Sequence, residues 1–178
     1  MERTNRIGIG TFSAEKTIAQ IRKNHALEHA VVHVLEKKFS HCALAGYSIN
    51  KGFWVIGKLA IQDVQEAVDA AYARLAHGEK DLAIHQGCGT NLAATGLAVS
   101  LGSLLTMAGT RSEKERLSRL SSLILVTTAC LQLSKPLGVM LQRNVTTDPD
   151  MTGLSIRGID AGEIRGVPYF FVNTAYDE

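Results

Sequence analysis

The sequence predicts an α+β fold: a small helix/β-hairpin domain with a two-helix transmembrane hairpin inserted in it. Three observations carry this. Helix, hairpin and helix patterns follow one another through residues 1–90, residues 91–110 hold no charged residue, and the tail after residue 142 returns to strand-forming sequence. The expected division is an α+β domain over 1–90, a transmembrane helical hairpin over 91–142, and C-terminal strands over 143–178 that complete the α+β domain.

The first helix is expected from about Ser13 to Ser40. Ser13 suits the N-cap, Glu15 the first turn, and Lys37 and Lys38 the last turn, with no Gly or Pro between. At about 100° per residue, Ile18, Ile21, His25, His29, Val32 and Glu36 share one face, and Leu27, Ala30, Val31 and Val34 lie opposite. A helix apolar on two faces is buried on both, so the histidine face is not simply its wet side. Next, strand-forming runs flank Asn50-Lys51-Gly52, with Phe53, Trp54, Val55 and Ile56 on the second arm, and these read as a β-hairpin. Gln62 to His77 is an amphipathic helix with Val64, Val68, Ala71 and Leu75 inward, ended by Gly78. Leu82–Ile84 reads as a short strand leading into HQGCGTN.

NLAATGLAVSLGSLLTMAGT and LSSLILVTTACLQLSKPLGVMLQ, joined by RSEKERLSR, have the lengths and composition of a membrane hairpin. Ala94, Ala98 and Gly102 form a small-residue row for close helix contact, and Lys135 is placed to snorkel. A hairpin buried in a soluble core is the competing reading. The loop residues Arg111, Lys114, Arg116 and Arg119 would put the loop inside the cell by charge. A folded N-terminal domain with free cysteines and no signal-peptide pattern argues instead for a cytoplasmic domain, and that orientation is the expectation. In the tail, Leu154–Ile159 and Pro168–Val172 read as strands.

Composition limits function further. A formal net charge of +2, with 19 scattered basic residues, excludes a nucleic-acid surface. Three cysteines without CxxC spacing are no disulfide framework. Cys42 and Cys130 read as buried small residues, and Asp148 and Asp150 as turn formers.

The chemistry concentrates in NHALEHAVVH, residues 24–33. His25 and His29 stand one helical turn apart, so both imidazoles reach one ion. Glu28 lies about 100° round the helix from His29, within reach of a zinc-bound water whose proton it would take. His25-x-x-Glu28-His29 resembles the H-x-x-E-H motif of the inverted zinc peptidases. That family draws its third ligand from a glutamate on a later helix, for which Glu66 or Asp69 is available here, though neither lies in a recognisable motif. A different source is HQGCGTN, which offers His85 and Cys88 in H-x-x-C spacing; His and Cys donors together suit Zn²⁺. If His25, His29, His85 and Cys88 all bind, the site is closed and structural. His33 and Glu36 continue the stripe as supporting partners or as a solvated edge.

On a larger scale, NHALEHA at 24–30, GFWVIG at 52–57, DLAIHQGCGTN at 81–91, and KPLG with VTT further on resemble an uncharacterised family of small membrane proteins of cyanobacteria and Chloroflexi. The resemblance implies a membrane hairpin with a folded domain on one side, and no activity. The expected function is therefore a membrane-anchored zinc-dependent hydrolase, a peptidase, with Glu28 as general base and an extended peptide laid along a strand edge from Ser48-Ile49 or Phe53–Ile56. Its partners would be membrane lipid and that peptide. The alternatives are a non-catalytic subunit or assembly factor of a membrane complex with a structural metal, and a subunit binding haem or a chlorophyll-type pigment.

Overall fold

The computed structural model describes residues 8–176, with side chains from residue 14 onward. The chain forms two compact units, one of the chain up to His85 together with the chain from Arg143, the other of Gln86–Gln142.

The first unit is an α+β sandwich of two layers. Helix α1 (Gly8–Lys38) begins ahead of Ser13, which therefore lies within the helix instead of capping it. Strands β1 (Ala45–Ile49) and β2 (Gly52–Ile56) form the expected hairpin. Helix α2 (Ile61–Ala76) follows, and Gly78, at φ +92°, lets the chain leave it. The segment around Leu82–Ile84 is no strand: Lys80–Ala83 is a 3-10 turn. Strands β3 (Leu154–Ile164) and β4 (Val167–Tyr176) run further than the sequence patterns suggest and join the hairpin in one antiparallel sheet of order β1-β2-β4-β3. The tail thus completes the N-terminal sheet, and β1 is left at its edge.

Alternation along the strands builds the core. Phe53 and Val55 of β2 and Phe170 and Val172 of β4 point inward, onto Leu27, Val31 and Leu35 of α1 and Val64, Val68, Ala71 and Leu75 of α2. The intervening residues face out, where Tyr47, Trp54 and Phe171 stack across three strands with ring centroids 5.9 and 4.5 Å apart. Buried Asn24 ties α1 to the sheet: its amide donates to the Ile49 carbonyl at 2.7 Å, and its oxygen accepts from Thr174 and Tyr176. The segment before β3 is laid along α1 by Arg22, which donates to the Thr147 carbonyl, and is turned by Asp148 and Asp150. Cys42 is half-buried, more open than expected, and donates to the Lys58 carbonyl.

The second unit is a helical hairpin. Helix α3 (Gly89–Met107) and helix α5 (Leu120–Leu141) run antiparallel, joined through the short helix α4 (Glu113–Ser118). Both long helices have the length and apolar composition to cross a membrane: at 1.5 Å per residue they measure about 29 and about 33 Å against a hydrocarbon layer of about 30 Å. A Cβ on Gly102 would meet Cys130 Sγ at 2.8 Å and Val126 Cγ1 at 3.0 Å, so the helices touch through a missing side chain. Cys130 is half-buried there instead of fully enclosed. Polar pairs also cross this seam: Thr95 Oγ1 donates to Ser134 Oγ at 2.9 Å, and Gln142 Nε2 to Asn91 Oδ1 at 2.7 Å. Arg119 closes the loop end by donating to the Thr106 and Ala108 carbonyls. Ser112 caps α4 through the Glu115 amide, and Glu115 accepts in return from the Arg111 amide.

Candidate metal centre

Over about three turns α1 presents five histidine and carboxylate side chains, His25, Glu28, His29, His33 and Glu36, and their hydrogen bonds define their chemistry. His25 and His29 lie one turn apart with ring centroids 4.3 Å from each other, and their ligand nitrogens are within 4.8 Å. His29 is 2% exposed. Its Nδ1 stands 2.7 Å from the carbonyl oxygen of Ala83, and His25 Nδ1 stands 3.0 Å from that of Thr146. A carbonyl only accepts, so in both rings Nδ1 carries the hydrogen, and in the neutral ring Nε2 carries the lone pair. This is how metal-ligating histidines are held: one nitrogen donates to a fixed acceptor and the other is set as the ligand. The 3-10 turn in place of the expected strand is what turns the Ala83 carbonyl to His29. Thr146 Oγ1 is also buried, with no hydrogen-bond partner among the described residues.

Glu28 is 6% exposed and sits against the edge strand. Ser48 Oγ donates to its Oε2 at 2.5 Å, and a Cβ on Gly46 would fall on its Oε1 and Cδ. Glycine at position 46 therefore makes the space for the carboxylate. Sequence reasoning named Ser48 only as part of an edge and missed Gly46 altogether; a glycine inside a strand pattern was the one available signal.

His85 is engaged elsewhere on the same helix. Its Nε2 lies 3.1 and 3.2 Å from the two oxygens of Glu36, and its ring centroid is 4.9 Å from that of His33 and 5.7 Å from that of His29. His33 in turn donates from Nε2 to the Ile84 carbonyl at 2.8 Å. Glu66, a sequence nominee for the third ligand, is exposed and pairs with Lys38; Asp69 accepts from the Gln65 amide on the same exposed side of α2. Neither is turned to the buried histidines. Cys88 belongs to the hairpin unit, where it is the N-cap of α3 and its sulfur accepts from the Thr90 amide at 3.4 Å. Nitrogen and carboxylate donors of α1, together with His85, thus give the first unit side-chain groups able to hold a metal ion.

No solved structure matches the chain. An uncharacterised protein of the cyanobacterium Picosynechococcus sp. (strain PCC 7002) is 33% identical over 136 residues, 71% of this chain and 65% of that protein, so the chain spans about two thirds of its relative's length. The profile of a domain of unknown function, DUF6391, matches residues 20–159, a span that takes in the α1 histidines, the H-x-x-C run, both apolar helices and the start of β3. The chain belongs to the DUF6391 family.

Proposed function

We propose that this protein is a membrane-anchored, zinc-dependent hydrolase that cleaves extended peptides. The observation that carries the reading is the pair of Nδ1–H bonds from His25 and His29 to main-chain carbonyls, which assigns both lone pairs to Nε2 on adjacent rings. His25 and His29 would hold Zn²⁺, with a third ligand from the H-x-x-C run. Three protein ligands keep one position open, the mark of a catalytic site as opposed to a structural one. Bound there, Zn²⁺ would supply Lewis acidity, lowering the pKa of water and polarising the scissile carbonyl.

The remaining chemistry falls to the chain. Ser48 holds Glu28 through Oε2, and the Glu28 carboxylate would take the proton of the attacking water. As the carbon–nitrogen bond breaks, Glu28 would return that proton to the leaving amine. A peptide pairing with the free edge of β1 would be added as a fifth strand beside this carboxylate. The two apolar helices would anchor the catalytic unit at the bilayer.

The test is Glu28→Gln in detergent-purified protein, read by zinc content and by mass-spectrometric detection of cleavage in a mixed peptide pool. Zinc should stay bound while cleavage falls by about 10²–10⁴-fold, the usual contribution of a general base. Unchanged cleavage would remove Glu28 from the mechanism. The Ser48–Glu28 bond also favours a second reading, a non-catalytic subunit in which Glu28 ties β1 to α1. Bound zinc with no cleavage by the wild-type protein would select it.

A further inference from the structure

We infer that His33, Glu36 and His85 form a second divalent-metal site, separate from the His25/His29 pair and independent of the hydrolase reading. One ligand atom from each of the three residues lies within 4.8 Å of the others. Two of these atoms already have ligand spacing. With zinc–nitrogen and zinc–oxygen bonds of about 2.0–2.2 Å, two donors on a tetrahedral ion stand about 3.3 Å apart, and His85 Nε2 is 3.1 and 3.2 Å from the Glu36 oxygens. His33 and Glu36 are three residues apart on α1, so they project from neighbouring positions of one helix face.

The tautomers agree with this assignment. His33 commits Nε2–H to the Ile84 carbonyl, which places its lone pair on Nδ1, the remaining ligand nitrogen. The neutral His85 ring need only carry its proton on Nδ1 for Nε2 to take the metal in place of the Glu36 hydrogen bond. Burial is graded to let an ion in: Glu36 is 46% exposed and His85 15%. Two imidazoles and one carboxylate with open positions select first-row divalent metals over Mg²⁺ or Ca²⁺, which prefer all-oxygen shells.

The two histidine groups are linked through the His29–His85 ring contact at 5.7 Å, so the sites need separate counting. Full-length protein in detergent is saturated with Zn²⁺, desalted, and its zinc measured by elemental mass spectrometry, with Mg²⁺ in excess throughout. The wild type should hold two zinc ions per chain. Glu36→Gln and His33→Ala should each hold one, with zinc affinity of the lost site reduced more than about 100-fold, beyond the 10–100-fold typical of outer-shell changes. Because Glu36 is exposed, Glu36→Gln tests the site without risking the fold. His29→Ala should also hold one ion, and His29→Ala with Glu36→Gln none. One zinc in the wild type, unchanged by Glu36→Gln and lost in His29→Ala, would overturn the second site and leave the first standing. One zinc lost in Glu36→Gln but kept in His29→Ala would overturn the hydrolase site and support this one.

Discussion

In the α+β unit Leu27, Leu35, Phe53, Val64 and Val68 are fully buried; in the hairpin Leu92, Leu105, Leu125 and Leu133 are 70–77% exposed, while Ser134 and Gln142 are buried. The two units therefore have opposite polarity. The first is arranged for water, with apolar residues inside. The hairpin puts leucines outside and joins its helices through Gly102, Thr95–Ser134 and Asn91–Gln142, the small-residue and hydrogen-bonded contacts used where apolar packing against lipid costs nothing. A soluble protein rarely exposes an apolar patch of more than a few hundred Å². The exposure of these leucines thus argues against the buried-core reading of the two helices, which are long and apolar enough to cross a membrane. The difference teaches that the placement of apolar side chains, not of helix and strand, divides this chain.

The strongest way to break the comparison is to attack each unit by its own rule. Leu35, with no exposure, packs in the core of the first unit. Leu35→Ala should destabilise that unit by about 2–5 kcal/mol, the transfer term plus the cavity. Amide hydrogen exchange along β4 would report the loss, and a change under 1 kcal/mol would mean that α1 is not part of this core. Leu133 lies near the middle of α5 and is 70% exposed. Leu133→Arg should raise the apparent free energy of membrane insertion by about 3 kcal/mol on the biological scale, read in a translocon insertion assay. The same change at half-exposed Val167 in β4 should cost within about 0.5 kcal/mol. Equal, small effects at both positions would dissolve the distinction between the units.

Much of the fold was legible because its period is strong. The i, i+3, i+4 pattern gave α2 with all four expected residues, Val64, Val68, Ala71 and Leu75, buried, and the flanking β-formers gave the β1–β2 hairpin. Three apolar residues at Leu82–Ile84 have no period of their own; Leu82 and Ala83 end a 3-10 turn that Ile84 caps, and the Ala83 and Ile84 carbonyls hold His29 and His33. The start of α1 was misplaced because a serine suited to a cap says nothing about chain that is helical before it. At the site, the one-turn spacing of His25 and His29 was readable from local geometry alone. What the Glu28 carboxylate touches was not, since it depends on a glycine and a serine of a strand paired across the sheet. The pairing of His85 with Glu36, 49 residues apart, likewise has no local signal.

A small coupling inside the seam sharpens the account of the hairpin. Ser134 is 1% exposed, accepts from Thr95 Oγ1 at 2.9 Å, and donates to the Leu131 carbonyl within its own helix. In water, a buried hydroxyl left without its partner would cost about 1–3 kcal/mol. In a bilayer the separated helices satisfy the same groups internally, because a threonine hydroxyl can turn back to the carbonyl one turn earlier. Thr127 already does so, donating to the Leu123 carbonyl at 2.8 Å. The coupling between Thr95→Val and Ser134→Ala, measured by a double-mutant cycle on hairpin unfolding in bicelles, should therefore be about 0.6 kcal/mol and no more than about 1.7. A coupling clearly above that range would mean the two hydroxyls find no alternative partners when the helices part. The seam would then derive its stability from that polar contact, and the close approach at Gly102 would be its consequence instead of its cause.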